Sequence, residues 1–353
     1  RMISRVLRYS YVQAKARAMK GALLTPEDWR ILLRMKSVGE VLTHLGGTRY
    51  AEALSSIQAP APGASTVSLA LHDDLFGDYR KLLKAAPAKG AAILQRLLVR
   101  YEAENLKTLL RGLWQGKSVP ETAALLYRLG NLSRLPVDAI LGSRDIPNAI
   151  KLLAPTPFHT ALSHALPRFR AQGSLFPLEV AVDSAAVAHV RSGLRRLGGA
   201  DRKSAEVLIG MWIDLVNLSW MVRFRHFYDL SPEEVINYIL PGGWKLGLRD
   251  LGAAARAGDL PSLLAALPSP YREALQPAGR WERIPSLLDE WFIRNLCKAF
   301  YRDPFQVRLP LSYLFLKEIE VKTLVSLLSA IELGEPTESL ADRIRPPTKA
   351  VGR

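Results

Sequence analysis

Gly112-Leu113-Trp114-Gln115-Gly116-Lys117-Ser118 is the stretch of this chain that comes nearest to phosphate chemistry. A phosphate loop needs four residues between its glycines, so that successive backbone N–H groups curl around the β-phosphate, and it joins a strand to a helix. Here three residues intervene, a helical pattern precedes them, and the aligned stretches 18–24 and 224–230 carry no such glycine pair. The segment therefore reads as a glycine helix stop followed by a polar loop. The histidines His44, His72, His159, His164, His189 and His226 form neither His-Glu-x-x-His nor an i,i+4 pair. His72-Asp73-Asp74 reads as a helix N-terminus rather than a hard-metal site. There is no Gly-x-Ser-x-Gly elbow. The single cysteine, Cys297, sits in Phe292-Ile293-Arg294-Asn295-Leu296-Cys297 and fits a buried helix residue; it excludes an internal disulfide. The expectation is a chain with no catalytic residue, no cofactor and no metal.

One pattern survives this search. Arg17, Arg111 and Arg223 each stand nine residues before a Pro-Glu pair, at Pro26, Pro120 and Pro232. A cation near a helix C-terminus accounts for such a position through the helix dipole. The functional alternative is a set of three guanidinium groups held for an acidic partner. With Arg225 they are the candidate interface residues. A net charge of +15 and a pI near 10 fit nucleic acid, an anionic lipid surface or acidic protein loops as partners. A basic helical-repeat nucleic-acid-binding protein is the alternative reading; it needs basic side chains interleaved with aromatics on matching faces, and only these arginines repeat. No nucleic acid is expected as a partner.

The elements that must position these arginines are themselves repeated. Tyr50-Ala51-Glu52-Ala53-Leu54, Phe158-His159-Thr160-Ala161-Leu162 and Tyr271-Arg272-Glu273-Ala274-Leu275 share aromatic-x-x-Ala-Leu about every 110 residues. A second marker, Glu102-Ala103-Glu104-Asn105-Leu106, is echoed by Asp214-Leu215-Val216-Asn217-Leu218 and by Glu320-Val321-Lys322-Thr323-Leu324. Without gaps, residues 71–76 also lie 216 residues before 287–292, an alignment that sets Glu102 and Glu104 against Glu318 and Glu320. Pro26-Glu27, Pro120-Glu121 and Pro232-Glu233 are helix starts; in Thr25-Pro26-Glu27-Asp28 and Ser231-Pro232-Glu233-Glu234 the N-cap hydroxyl, proline at the first helical position and acids in the first turn are all plain. Ile3, Leu7, Tyr11, Ala14 and Ala18 form one amphipathic stripe. Segment 55–68 reads as a loop, and 69–86 with 88–113 as a helical hairpin broken at Pro87 and Gly90. Strand alternation is scarce.

The expected fold is all-α, three similar helical subdomains in a pseudo-threefold funnel. Its divisions are 1–100, 101–213 and 214–319 for the repeats, 320–344 for closing C-terminal helices and 345–353 for a flexible tail. No stretch approaches eighteen uncharged apolar residues, since Leu309–Leu316 runs into Lys317, Glu318 and Glu320. The start of the chain lacks the apolar centre of a signal peptide.

Residues 9–20, 23–28, 217–225, 238–243 and 310–322 together resemble the C subunit of prokaryotic V/A-type ATP synthases, which is similar to the d subunit of vacuolar proton pumps. The resemblance runs from about residue 9 to 343 and departs at Thr323, where that family often has Asn. It implies a rotor adaptor without enzymatic activity. Such a subunit, present in a single copy, receives central stalk subunits in its cavity, sits on the membrane rotor ring, and transmits torque from the cytoplasmic side of the cell membrane as a peripheral protein.

Overall fold

The computed structural model describes residues 2–57, 62–226, 228–302 and 306–335, with backbone alone for 2–8 and 302. The expected tail, 345–353, and the end of the closing segment, 336–344, lie outside the described residues. Every regular element among the described residues is helical, and no strand occurs there. The chain forms two compact units, one of Arg1–Pro87 with Gly198–Arg353 and one of Ala88–Leu197. In chain order, α1 (Met2–Gly21), α2 (Pro26–Leu32), α3 (Val38–Leu45), α4 (Ala51–Ser55) and α5 (Ala64–Ala85) open the first unit. The second unit holds α6 (Ala88–Leu97), α7 (Val99–Gln115), α8 (Val119–Ala123), α9 (Val137–Leu141), α10 (Ile146–Leu152), α11 (His159–Gln172) and α12 (Phe176–Leu194). The chain returns to the first unit with α13 (Gly199–His226), α14 (Pro232–Ile236), α15 (Leu248–Ala255), α16 (Leu260–Ala266), α17 (Tyr271–Leu275), α18 (Ile284–Arg302) and α19 (Arg308–Glu332).

Three times a group of short helices, here called a head, begins at a reciprocal cap. Thr25 with Asp28, Ser118 with Glu121 and Ser231 with Glu234 each exchange side-chain and backbone hydrogen bonds, with proline in the first turn. Each head ends on the repeated aromatic, and Tyr50, Phe158 and Tyr271 are all fully buried. Ahead of α8, α7 stops on Gly116 at φ 63°, and the Lys117 N–H closes back on the Gly112 carbonyl at 3.0 Å. The glycine pair is thus a left-handed helix cap followed at Ser118 by the next helix start. Gly112 has a separate reason: a Cβ there would overlap the Thr122 side chain of α8.

Several boundaries and faces differ from the expectations. Helix α5 begins at Ala64, inside the expected loop, because Glu332 of α19 accepts the Ala64 N–H at 3.2 Å and supplies a cap from the far end of the chain. Gly90 is a buried position inside α6, and the break in the second arm falls at Leu98. From residue 9 of α1 onward the buried residues are Tyr9, Val12, Gln13 and Ala16, while Tyr11, Ala14 and Ala18 face outward; the side chains of Ile3 and Leu7 lie outside the described residues. The Tyr9 hydroxyl donates to Asp201 at 2.9 Å and Gln13 to the Gln306 carbonyl at 3.3 Å, so polar anchors select the face. Helix α13 is long and apolar enough to cross a membrane by length and composition, but 67% of that window is buried. It is apolar around most of its circumference because neighbours cover it on several sides. Nor do Lys317 and Glu320 mark a wet edge to the Leu309–Leu316 run, since both are fully buried.

Candidate partner interface and its buried supports

The three repeated arginines lie about one turn before the ends of α1, α7 and α13, all on exposed positions. Arg17 has no hydrogen-bond or ion-pair partner among the described residues, and it shares the outward side of α1 with Tyr11, Ala14 and Ala18. Arg111 Nε donates to Glu179 Oε1 of α12 at 2.6 Å, and that bond, against partial burial, raises its pKa. Arg223 Nη2 donates to the Tyr228 hydroxyl at 2.9 Å, with the guanidinium 5.3 Å from the ring centre. Ser219, Val222, Arg223, Tyr228 and Pro285 line an open depression at this end of α13. Arg225 has a different environment: its Nη1 donates to the Leu230 carbonyl at 2.8 Å and ties the helix end to the following loop. No hydrogen bond or ion pair joins these arginines to one another among the described residues.

Each head is held to a long helix by a buried acid. In the second unit Glu102 Oε1 accepts from the Ser133 hydroxyl at 2.9 Å and the Arg134 N–H at 2.6 Å. One turn further along α7, the Asn105 amide closes a two-way clamp on the Tyr127 backbone at 2.9 and 2.8 Å. Asn217 repeats this clamp on Leu240 at 2.9 and 2.8 Å. Asp214 Oδ2 accepts from the N–H groups of Trp244, Lys245 and Leu246 and, at 2.7 Å, from the Tyr271 hydroxyl. Gly242, at φ 97°, and Gly243, where a Cβ would overlap the Asp214 carboxylate, allow the loop to wrap this oxygen. Burial pushes the Asp214 pKa up, opposed by the four donors.

The first head has no such acid on α1. Its support comes from α19, where Glu320 accepts the Leu24 N–H at 2.8 Å and the Tyr50 hydroxyl at 2.7 Å. The last long helix thus does for the first head what α7 and α13 do for theirs. This settles the two sequence alignments in favour of Glu102 with Glu320, since Glu318 pairs with Lys322 at 2.8 Å. Thr323 stands where α7 and α13 carry their asparagines and bonds its own helix at Ile319, so the backbone clamp is absent from that copy.

Glu320 belongs to a wider buried network. Lys317 Nζ lies 2.8 Å from Asp74, 3.8 Å from Glu320 and 3.7 Å from the Tyr50 ring centre. Arg49 reaches Asp78 at 2.7 Å, Asp74 at 3.2 Å and the Tyr313 hydroxyl at 2.9 Å, while Tyr313 donates to Asp78. Burial lowers the Lys317 pKa, with Glu320 and Asp74 pulling it back, and burial raises that of Glu320 against Lys317 and its donors. His72-Asp73-Asp74 is therefore an interior stretch of α5 rather than a helix start, and Asp74 is an ion-pair partner. Sequence reading missed the network because its members come from three separated segments; the one available signal was the charged run Lys317, Glu318 and Glu320 directly after the apolar stretch Leu309–Leu316.

Fold and site define a helical-repeat scaffold whose buried acids grip its own backbone and whose repeated arginines face outward. The chain belongs to the family described as ATP synthase (C/AC39) subunit, which matches residues 12–343. It is similar to the C subunit of the A-type ATP synthase of Haloferax volcanii, 27% identical over 333 residues that cover 92% of this chain and 93% of the relative. Proteins of the same name from Methanocaldococcus jannaschii and Archaeoglobus fulgidus are each 24% identical, covering 96% and 94% of this chain and 86% and 94% of the relatives.

Proposed function

We propose that the chain is the non-catalytic adaptor of an A-type ATP synthase, a structural subunit that links the central stalk to the membrane rotor ring and carries torque between them. In this reading the three heads and their long helices are three similar subdomains of one funnel. Arg17, Arg111 and Arg223 contact acidic groups of the partner, and Arg225 braces the helix end that presents Arg223. The protein sits as a single copy, peripherally, on the cytoplasmic side of the cell membrane. The observation that carries the reading is family membership over nearly the whole chain. Supporting it, α1 leaves Tyr11 66% exposed beside Arg17, which has no hydrogen-bond or ion-pair partner among the described residues, a side that the described residues leave uncovered. The repeated use of buried acids to lock heads onto helices suits a part that must transmit force without yielding.

Pull-down with the detergent-solubilised rotor ring and, separately, with the soluble stalk tests this directly. The chain should be retained by both preparations. Retention by neither, or by the soluble stalk alone, would remove the linking role.

A further inference from the structure

Positive charge without matching acid gathers in the second unit around His189. Arg96, next to the last residue of α6, lays its side chain across Gly193 of α12, where a Cβ would overlap it. Its Nη1 donates to the His189 carbonyl at 2.9 Å and to Ser192 Oγ at 2.8 Å, and lies 3.4 Å from His189 Nε2. A guanidinium has no acceptor, so this contact requires the ring nitrogen to be unprotonated. Burial, then Arg96, Arg134 and Arg196, push the His189 pKa down to about 4, and no carboxylate opposes them. Burial and Arg196 likewise lower the pKa of Arg96.

The geometry that delivers Arg134 is built in. Its N–H is held by Glu102, and Gln95 Nε2 of α6 donates to the Leu132 carbonyl at 3.0 Å, which fixes the head backbone beside α6. Glu102 is occupied by those backbone and hydroxyl donors. Arg196 follows the end of α12, and both it and Arg134 are exposed without a carboxylate partner among the described residues. All three guanidinium groups act on His189, and Arg196 acts on Arg96 as well, so a bound anion would relieve the positive field that they build there. Their forked donors match the oxygens of a tetrahedral oxyanion.

We propose that Arg96, Arg134 and Arg196 form a binding site for a phosphate-type oxyanion, with Arg96 as the fixed donor braced by Ser192 and His189. The phosphate belongs either to a soluble phosphate compound or to an anionic lipid headgroup. The proposal is independent of the rotor reading.

The test follows the ring signals of His189 by NMR in the full chain carrying labelled histidine, titrated with inorganic phosphate at constant ionic strength. A bound anion cancels part of the positive field, so the His189 titration should move up by roughly one pH unit and saturate. Calorimetry at pH 7 reads the same affinity without acid. In Arg134→Gln/Arg196→Gln, checked for its fold by circular dichroism, the response should disappear and affinity should fall at least about tenfold. Arg168→Gln/Arg170→Gln, with the same net charge, should bind like the parent. Co-sedimentation with phosphatidylglycerol but not phosphatidylcholine vesicles, lost in the first double variant, identifies the lipid source; a phosphate response without co-sedimentation identifies the soluble one. No saturable response to either probe, or equal responses in the two double variants, overturns the site.

Discussion

Lys317 shows what a single buried charge does in this protein. Its ammonium is enclosed between Asp74, Glu320 and the face of Tyr50. Removing it leaves acids buried without their cation, so Lys317→Met should cost about 3–5 kcal/mol in denaturant unfolding. Lys317→Met/Glu320→Gln should recover part of that loss, because the charge is gone while the amide oxygen can still accept from the Leu24 N–H and the amide NH2 can donate to the Tyr50 hydroxyl oxygen; strict additivity of the two losses would refute the coupling. Asp28 gives a pH-dependent case at the surface. Partial burial raises its pKa, but hydrogen bonds from Thr25 and the nearby His44 outweigh it and bring the value below 3.8. A depressed carboxylate stabilises the fold above its unfolded pKa and loses that contribution as pH falls through its folded one. Asp28→Asn should therefore lower stability by about 1 kcal/mol at pH 7, with the difference shrinking below about pH 3.8. An unchanged difference at low pH would contradict the assignment. The Asp28 cap was legible in the sequence because its partner is three residues away. The Lys317 site was not, because its partners arrive from segments that only the folded chain brings together.

At the level of elements, the loop after α14 shows how backbone rather than side chains holds a head. Gly243→Ala should disrupt the wrap around Asp214 and cost roughly 3 kcal/mol or more by leaving buried donors unpaired. Gly77→Ala, inside α5 with nothing within 4 Å of its added Cβ, should be neutral or stabilise by about 0.5–1 kcal/mol. Thermal melts of the two variants make the comparison, and equal effects would deny Gly243 its role. The same contrast explains which elements could be read in advance. The three helix starts are local hydroxyl, proline and acid patterns, and all three form. The start of α5 depends on Glu332, and the buried face of α1 on Asp201 and the Gln306 carbonyl, so neither follows from its own segment. Tyr11, Ala14 and Ala18 were apolar enough to suggest a core stripe, yet the polar anchors turn the helix the other way.

At the scale of the whole molecule, internal repetition was the strongest sequence signal, and the buried acids give it a physical meaning: Glu102, Asp214 and Glu320 repeat because each holds a head. What repetition could not reveal is that the first head relies on the last helix, since no spacing within one copy encodes it. The repeated arginines do not share one environment either: among the described residues Arg17 has no partner, while Arg111 meets Glu179 and Arg223 meets Tyr228. Their substitution should therefore have unequal effects, with Arg111→Ala alone also loosening α7 from α12. The central claim is that these groups serve coupling rather than folding. The direct measurement replaces the chain in the complete membrane complex with Arg17→Ala, Arg111→Ala and Arg223→Ala singly, and records ATP hydrolysis beside ATP-driven ion pumping. Association with the stalk should weaken by about 1–3 kcal/mol, and pumping should fall while hydrolysis is retained. Normal pumping, with nothing more than a lowered melting temperature in the isolated variants, would contradict it.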